Sequence, residues 1–334
     1  MDVQDENGEA ALQHAIGRRA LALAATGLLA APALAQSWPG QPIRLIVPFA
    51  PGGSTDLSAR MVADGLSTRL GVPVVVENRA GAGATTGSQM VADATPDGHT
   101  LVMSNIASHA ISPTLYRNLR YHPVRSFTHV ALVISNPSVF VANNATTLRS
   151  LTDIVRAARE RQDGLDMASS GAGSSNHLLI VRFSQVAGIP HTHVPFRGAG
   201  PAMAAVIAGQ VPMMSDSLPS AAAHVRQGAV RAVAMSSPDR HPAFPEVPTF
   251  REQGFDLTST SWFGISGPAG LPAEITERLN RAVLAVLAMP ETRARFAEMG
   301  GTAGDLSAQG YTEYVASEFD AWAPVVRASG ATVD

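Results

Sequence analysis

Residues 42–56 read PIRLIVPFAPGGSTD, and this stretch decides the fold. Its segment 43–49 is a β-branched, apolar run of the length of a buried strand. The run ends at Pro51-Gly52-Gly53. Ser54-Thr55-Asp56 then offers capping side chains to a helix whose apolar positions are Leu57, Met61, Leu66 and Leu70. Gly71-Val72-Pro73 stops that helix, and VVVEN (74–78) starts a second strand. A glycine-rich turn and a helix around 88–94 follow, and Asp97-Gly98 leads into a third strand, 100–103, ending in Ser104-Asn105. Strand, small-residue loop and helix in alternation predict a parallel sheet.

Working outward, the same unit recurs after Asn136-Pro137. Strand 138–143, helix 148–161 and strand 165–170 lead to Gly171-Ala172-Gly173, and a helix reopens at Ser174-Ser175-Asn176. The alternation continues to Ser237. A proline-rich stretch (Pro238, Pro242, Pro245, Pro248) then precedes a strand at 259–265 and two amphipathic helices, 272–299 (broken at Pro290) and 307–328. This tail has no sheet of its own, so its simplest packing is back onto the first lobe. The expected division is 36–137 and 237–334 for lobe one and 138–236 for lobe two, with chain crossings near 135–138 and 235–237. That is the layout of a hinged two-lobe binder.

Composition removes several function classes. The 334 residues carry a formal charge of −3, which gives no case for nucleic acid or an anionic membrane surface. All 24 basic residues are arginine. Without lysine there is no Walker P-loop and no Schiff-base or pyridoxal chemistry. Without cysteine there are no disulfides, thiolate metal sites or cysteine nucleophiles. Near the N-terminus, Arg18-Arg19, the apolar run 20–35 and the small-x-small site Ala33-Leu34-Ala35 read as an export signal over 1–35, cleaved near Ala35. The acids Asp2, Asp5, Glu6 and Glu9 before it are the wrong sign for such a leader and leave the true start and the export route open.

Two loops hold the candidate ligand chemistry. Gly52-Gly53-Ser54-Thr55-Asp56 and Ser169-Ser170-Gly171-Ala172-Gly173-Ser174 occupy the same place in the two rounds. Each follows a strand and opens a helix, where free amides attract an anion; each is also what any βα turn requires. Asp216 ends a strand where ligands often contact open sheets, or else caps the next helix. Gly81-Ala82-Gly83-Ala84-Thr85-Thr86-Gly87 resembles a dinucleotide fingerprint with its third glycine one place late. The next strand ends in Ser104-Asn105 rather than an acid for ribose. His191 and His193 share a strand face without the further ligands a metal needs. Ser169 and Ser170 lack a nucleophile-elbow pattern, which argues against a hydrolase triad with His177.

In order and spacing, PIRLIVPFAPGGSTD, VVVENRAGAGATTGSQMVADATPDGHTLVM, SSGAGSSNHL, HVPFRGAGPAM, SDSLPSA and SWFG resemble the Bug family of periplasmic solute receptors of tripartite tricarboxylate transporters. The resemblance runs from about Trp38 to the C-terminus. It implies an α/β, two-lobe periplasmic-binding-protein fold of the type II (Venus flytrap) kind, with a hinge and the C-terminal helices on the first lobe. It further implies capture of a small organic carboxylate by amides, hydroxyls and ordered waters, and delivery to an integral-membrane permease. The implied protein is a periplasmic monomer, not an enzyme, with no cofactor and no metal. Carried over by motif, the ligand positions are Phe49, Gly53, Ser54, Thr55, Asp56, Asn105 and Ser108 in the first lobe. In the second they are Ser169, Ser170, Gly171, His177, Asp216 and Ser217. Departures from common family forms fall at Asn105-Ile106-Ala107, where short Thr, Ser or Gly residues are usual. Phe196 stands for a frequent tyrosine and Ser215 for a frequent phenylalanine. Two other readings remain open at this point: an NAD-dependent oxidoreductase with a Rossmann-like lobe, and a receptor that presents its ligand to a histidine kinase.

Overall fold

The IRLIV run forms β1 (Ile43–Val47), buried except at half-covered Arg44. It pairs in parallel with β2 (Val74–Asn78) on one side and β3 (Thr100–Asn105) on the other. A strand with neighbours on both edges and helices on both faces needs consecutive apolar residues, which is why its pattern does not alternate. The structure is a computed structural model and describes residues 38–328; the leader expected over 1–35 lies outside the described residues. Helix α1 (Ser54–Leu70) ends at Gly71, whose left-handed φ of 74° only glycine adopts cheaply. After β2 come α2 (Thr85–Ala92), then β3, a π turn at Ala107–Ile111 and the short α3 (Ser112–Leu115).

The sequence reading starts a new strand at 138, but the chain runs through Asn136-Pro137 as one 17-residue strand, β4 (Phe127–Asn143). Its first part, up to Pro137, pairs antiparallel with β9 (Thr260–Pro268); its second part, from Ser138, pairs with β7 (Met213–Ser217) and β8 (Val230–Met235). Pro137 is tolerated because it stands where the strand changes partners and a missing amide costs least. The next amide, Ser138 N–H, donates to Ser236 Oγ at 2.8 Å. Ser236 N–H donates back to the Ser138 carbonyl, and Ser259 N–H to the Ser236 carbonyl, so the chain's passages between the sheets lie side by side.

The second sheet repeats the first. Helix α4 (Leu151–Arg159) precedes β5 (Leu165–Ser169), which lies between β6 (His191–Pro195) and β7 with both pairings parallel. Helices α5 (Ser175–Ala187), α6 (Ala199–Ile207) and α7 (Leu218–Arg226) connect them. Parallel pairing thus holds within each βα round. The sheets as a whole are mixed, because β4, β8, β9 and the two-residue β10 (Thr302–Ala303) enter antiparallel.

The tail returns to the first sheet later than position 237. Phe244 and Val247 pack with Val139, Met214 and Met235, and Phe250 and Leu257 with Phe140, Leu151 and Phe183, all against the second sheet. From β9 onward the chain belongs to the first sheet, with β9 inserted between β3 and β4. Helices α8 (Ala273–Leu287) and α9 (Pro290–Glu298) meet at the expected break, where Pro290 opens a new first turn. Helix α10 (Ala308–Ala328) buries Tyr311, Val315 and Trp322 with Trp262 of β9, whose indole Nε1–H donates to Glu318 Oε2 at 2.8 Å.

Candidate functional site

A cavity with about 380 Å3 of unfilled space, its opening to solvent included, lies where the carboxyl ends of β1, β3, β5 and β7 meet. Its first-sheet wall is Phe49, Gly53, Ser54, Thr55, Asn105, Ile106 and Ala107, with Ser261 and Phe263 from β9. Its second-sheet wall is Ser170, Ser174, Ser175, Asn176, Ala199, Asp216 and Ser217. This is the strand-end position where open sheets bind ligands.

Helical N-termini surround the cavity. Helix α1 starts from Gly53, with no side-chain cap, and its first internal bond is Leu57 N–H to the Gly53 carbonyl at 3.0 Å. The amides of Ser54, Thr55 and Asp56 therefore have no partner within the helix. Helix α5 opens at Ser174, whose hydroxyl accepts from His177 N–H at 3.2 Å, leaving the Ser175 and Asn176 amides beside the cavity. Helix α7 opens at Ser217 and the π turn at Ala107. Such termini carry partial positive charge at fixed positions, and among the described residues no arginine or histidine lines the cavity. The wall thus attracts an anion through dipoles rather than full charges.

Among the described residues the one ionisable group in the wall is Asp216, fully buried at the end of β7. Burial pushes its carboxyl up to about 7, against the downward pull of hydrogen bonds from Ser220 Oγ (2.6 Å) and Ser217 N–H (2.8 Å). No charged neighbour contributes to that shift. Ser54 Oγ donates to Ser220 Oγ at 3.0 Å and accepts from Ser220 N–H at 3.0 Å, which ties the start of α1 to the start of α7. With Asp216 ionised, every hydroxyl hydrogen in this chain points toward its carboxylate. The Ser54 hydrogen then faces away from the cavity. With Asp216 protonated the chain can reverse, and Ser54 becomes a donor to whatever occupies the site.

Of the thirteen sequence-assigned positions, Phe49, Gly53, Ser54, Thr55, Asn105, Ser170, Asp216 and Ser217 line this cavity, and five do not. Asp56 shapes the loop: its carboxylate accepts from Gly52 N–H, Asn78 Nδ2 and Arg60. Burial alone would raise it, but the Arg60, Gly52 and Asn78 bonds prevail and hold it below its ordinary value. Ser108 is turned into the first core, where its hydroxyl meets His109 Nδ1 at 2.8 Å; the Asn105 side chain accepts its amide and sets that turn. Ser169 Oγ holds the second loop, accepting from Gly171 N–H and meeting His193 Nε2 at 2.7 Å. Gly171 lines a neighbouring cavity. His177 stacks on His193 with ring centroids 3.8 Å apart, and its Nδ1 accepts from Gly173 N–H.

The second-sheet contacts that sequence reasoning missed, Ser175 and Asn176, are the first residues of the helix itself. Its capping signature was readable, but not that these residues line the cavity. Ser261 and Phe263 lie on β9, whose insertion into the first sheet no local pattern announces. Burial, then the neighbouring imidazoles, push His177 down to about 4 and His193 to about 3. Both rings are therefore expected to be neutral at pH 5.5 by nitrogen NMR of the folded protein; imidazolium signals there would contradict the packing described. Arg60 and Arg79 are committed to Asp56 and Glu77, at 3.0 Å each. Replacing either by alanine is expected to change ligand affinity by less than about threefold in calorimetry.

Residues 58–331 match the family model described as the tripartite tricarboxylate transporter family receptor. The Protein BugT of Bordetella pertussis is 35% identical over 309 residues, covering 92% of this chain and 95% of that protein. Among solved structures, R. palustris Rpa4515 with adipate superposes with a TM-score of 0.85 at 30% identity, over 89% of this chain and 100% of that one. MatC (Rpa3494) from Rhodopseudomonas palustris with bound malate gives 0.83 at 32% identity, over 86% and 100%. Fold and sequence agree across nearly the whole described chain, and the dehydrogenase reading of the 81–87 loop falls away. The chain belongs to the tripartite tricarboxylate transporter receptor family, whose two-lobe α/β members are solute receptors and not enzymes.

Proposed function

We propose that this protein is an exported receptor that captures a small organic carboxylate between its two lobes and delivers it to the integral-membrane permease of a tripartite transporter. The observation that carries the reading is the cavity at the strand ends, ringed by helical N-termini and hydroxyls and lined, among the described residues, by no cation. A carboxylate held there is neutralised by dipoles and stays mobile enough to be released. The acids bound to Rpa4515 and MatC, adipate and malate, are of this class. Export rests on the leader read over 1–35, and no helix among the described residues is long and apolar enough to cross a membrane.

The lobes divide within β4 at Pro137-Ser138 and again near Ser259, the side-by-side passages acting as a hinge. Thermal unfolding of the chain beginning at Gln36, measured against a panel of mono-, di- and tricarboxylates, tests the function. Stabilisation of several degrees by at least one acid is expected through binding linkage; no stabilisation by any would refute it. With a stabilising acid at saturation, the radius of gyration from solution scattering is expected to fall. An unchanged radius would contradict the hinge.

A further inference from the structure

Asn176, in the first turn of α5, lines the cavity and is almost wholly buried. Its side-chain Oδ1 accepts the hydroxyl of Ser138 at 3.3 Å, and its Nδ2 donates to the Ser170 hydroxyl at 3.3 Å. Ser170 lines the cavity too, but Ser138 does not. Ser138 stands fully buried behind that wall, on β4 immediately after Pro137. Its backbone is fixed from both ends: the amide donates to Ser236 Oγ and the carbonyl accepts Ser236 N–H, each at 2.8 Å. It also lies in register with Ser217 of β7.

The two ends of a primary amide have nearly the same shape, and only their partners decide which end points where. Asn176 Oδ1 is the one acceptor that the Ser138 hydroxyl finds among the described residues. Turned over, the amide would donate Nδ2–H to the Ser138 oxygen. The Ser138 hydrogen would then be buried without an acceptor, a state that folded proteins avoid. Ser138 thus holds Oδ1 toward itself and Nδ2 toward Ser170. One Nδ2 hydrogen goes to Ser170, and the other has no acceptor among the described residues. That hydrogen is left for whatever occupies the cavity.

We infer that Ser138 is a specificity-determining positioning residue: by fixing the Asn176 amide it turns a side chain that could donate or accept into a donor, so that this wall selects a carboxylate over the neutral amide of the same acid. The inference rests on the carboxylate-receptor reading and deepens it, since it names a residue outside the cavity that sets the kind of group the cavity prefers. A carboxylate offers acceptors alone, whereas a carboxamide brings hydrogens of its own that an Nδ2 facing them leaves unpaired. The wrong partner is penalised as well as the right one favoured.

Calorimetry with adipate against adipamide and malate against malamide tests this, together with the most stabilising acid of the wider panel and its amide. In the protein beginning at Gln36, at least one acid is expected to bind at least tenfold more tightly than its amide. Ser138→Ala keeps the backbone bonds to Ser236 but frees the Asn176 amide to turn, and is expected to shrink that ratio at least fivefold. In an Asn176→Ala background the same substitution is expected to change the ratio by less than twofold, because Ser138 acts through Asn176. Equal binding of acid and amide to the wild type overturns the role of Ser138 but leaves the receptor reading standing. So does a ratio that survives in Ser138→Ala, even with a lowered unfolding temperature, or an effect of Ser138→Ala undiminished by Asn176→Ala. If no acid of the panel binds or stabilises the fold, the receptor reading fails and takes the role of Ser138 with it.

Discussion

Replacing Gly53 by valine is expected to abolish carboxylate binding, a loss of at least about 100-fold or about 3 kcal/mol, with little change in unfolding temperature. Gly53 has ordinary extended dihedrals (φ −87°, ψ 169°) that valine adopts, so the backbone itself raises no objection. A Cβ there would sit 3.3 Å from the Ala199 Cβ of the facing lobe, and the branched methyl groups of valine would project into the cavity or against α6. The substitution thus covers the amides at the start of α1 and props the lobes apart. Calorimetry with an acid that stabilises the wild type, alongside circular dichroism, checks both halves of the expectation. Normal binding by a folded Gly53→Val protein would refute the amide cradle. A companion variant, Gly200→Val, separates the two effects. Its Cβ would lie 2.6 Å from the Pro51 carbonyl, outside the cavity lining, so it hinders closure without covering an amide.

The second large effect is on pH. Asp216 has its carboxyl near 7 in the folded state, well above its value in an unfolded chain, and it faces the site of an anion with no cation beside it. Below about pH 7 it is neutral and can pass a hydrogen through Ser220 to Ser54; above, its charge opposes the ligand. Affinity for a carboxylate is expected to be flat below pH 7 and to fall by up to tenfold per pH unit above it. The sign for folding is the same. Between the unfolded carboxyl value near 4 and about 7 the folded state holds a proton that the unfolded state has released. Stability therefore declines as pH rises through that window, with the full cost present above it. Asp216→Asn keeps the acceptor for Ser217 N–H and supplies a permanent donor to Ser220. It should bind with a flat profile to pH 9. A wild-type affinity unchanged between pH 6 and 9 would remove Asp216 from the binding account.

Much of this was legible in the sequence, and the reasons are local. The buried run 43–47, the capped start of α5, the stop at Gly71 and the break at Pro290 are each determined by residues within one turn of the feature. The same holds for Gly53, Ser54, Thr55, Ser170 and Asp216, which the strand-end loops announce, whereas Phe49, Asn105 and Ser217 came with the family resemblance. What escaped depends on long-range pairing. Nothing near Pro137 tells that β4 continues through it, because the permission comes from a change of partners whose sequences lie about a hundred residues on. Phe250 and Leu257 read as part of the tail until their partners Phe140 and Phe183 are in place. Ser108 and Ser169 have the right chemistry in the right loops, yet they face inward because His109 and His193 engage their hydroxyls.

The most direct test of the central claim is a crystal structure of the protein beginning at Gln36 with the acid that stabilises it most. The account predicts a carboxylate of that acid in the cleft, its oxygens within hydrogen-bond distance of amides at Gly53–Thr55 and Ser174–Asn176, with no arginine side chain touching that group. A ligand whose every carboxylate is held by arginine, or one bound outside the cleft, would contradict it.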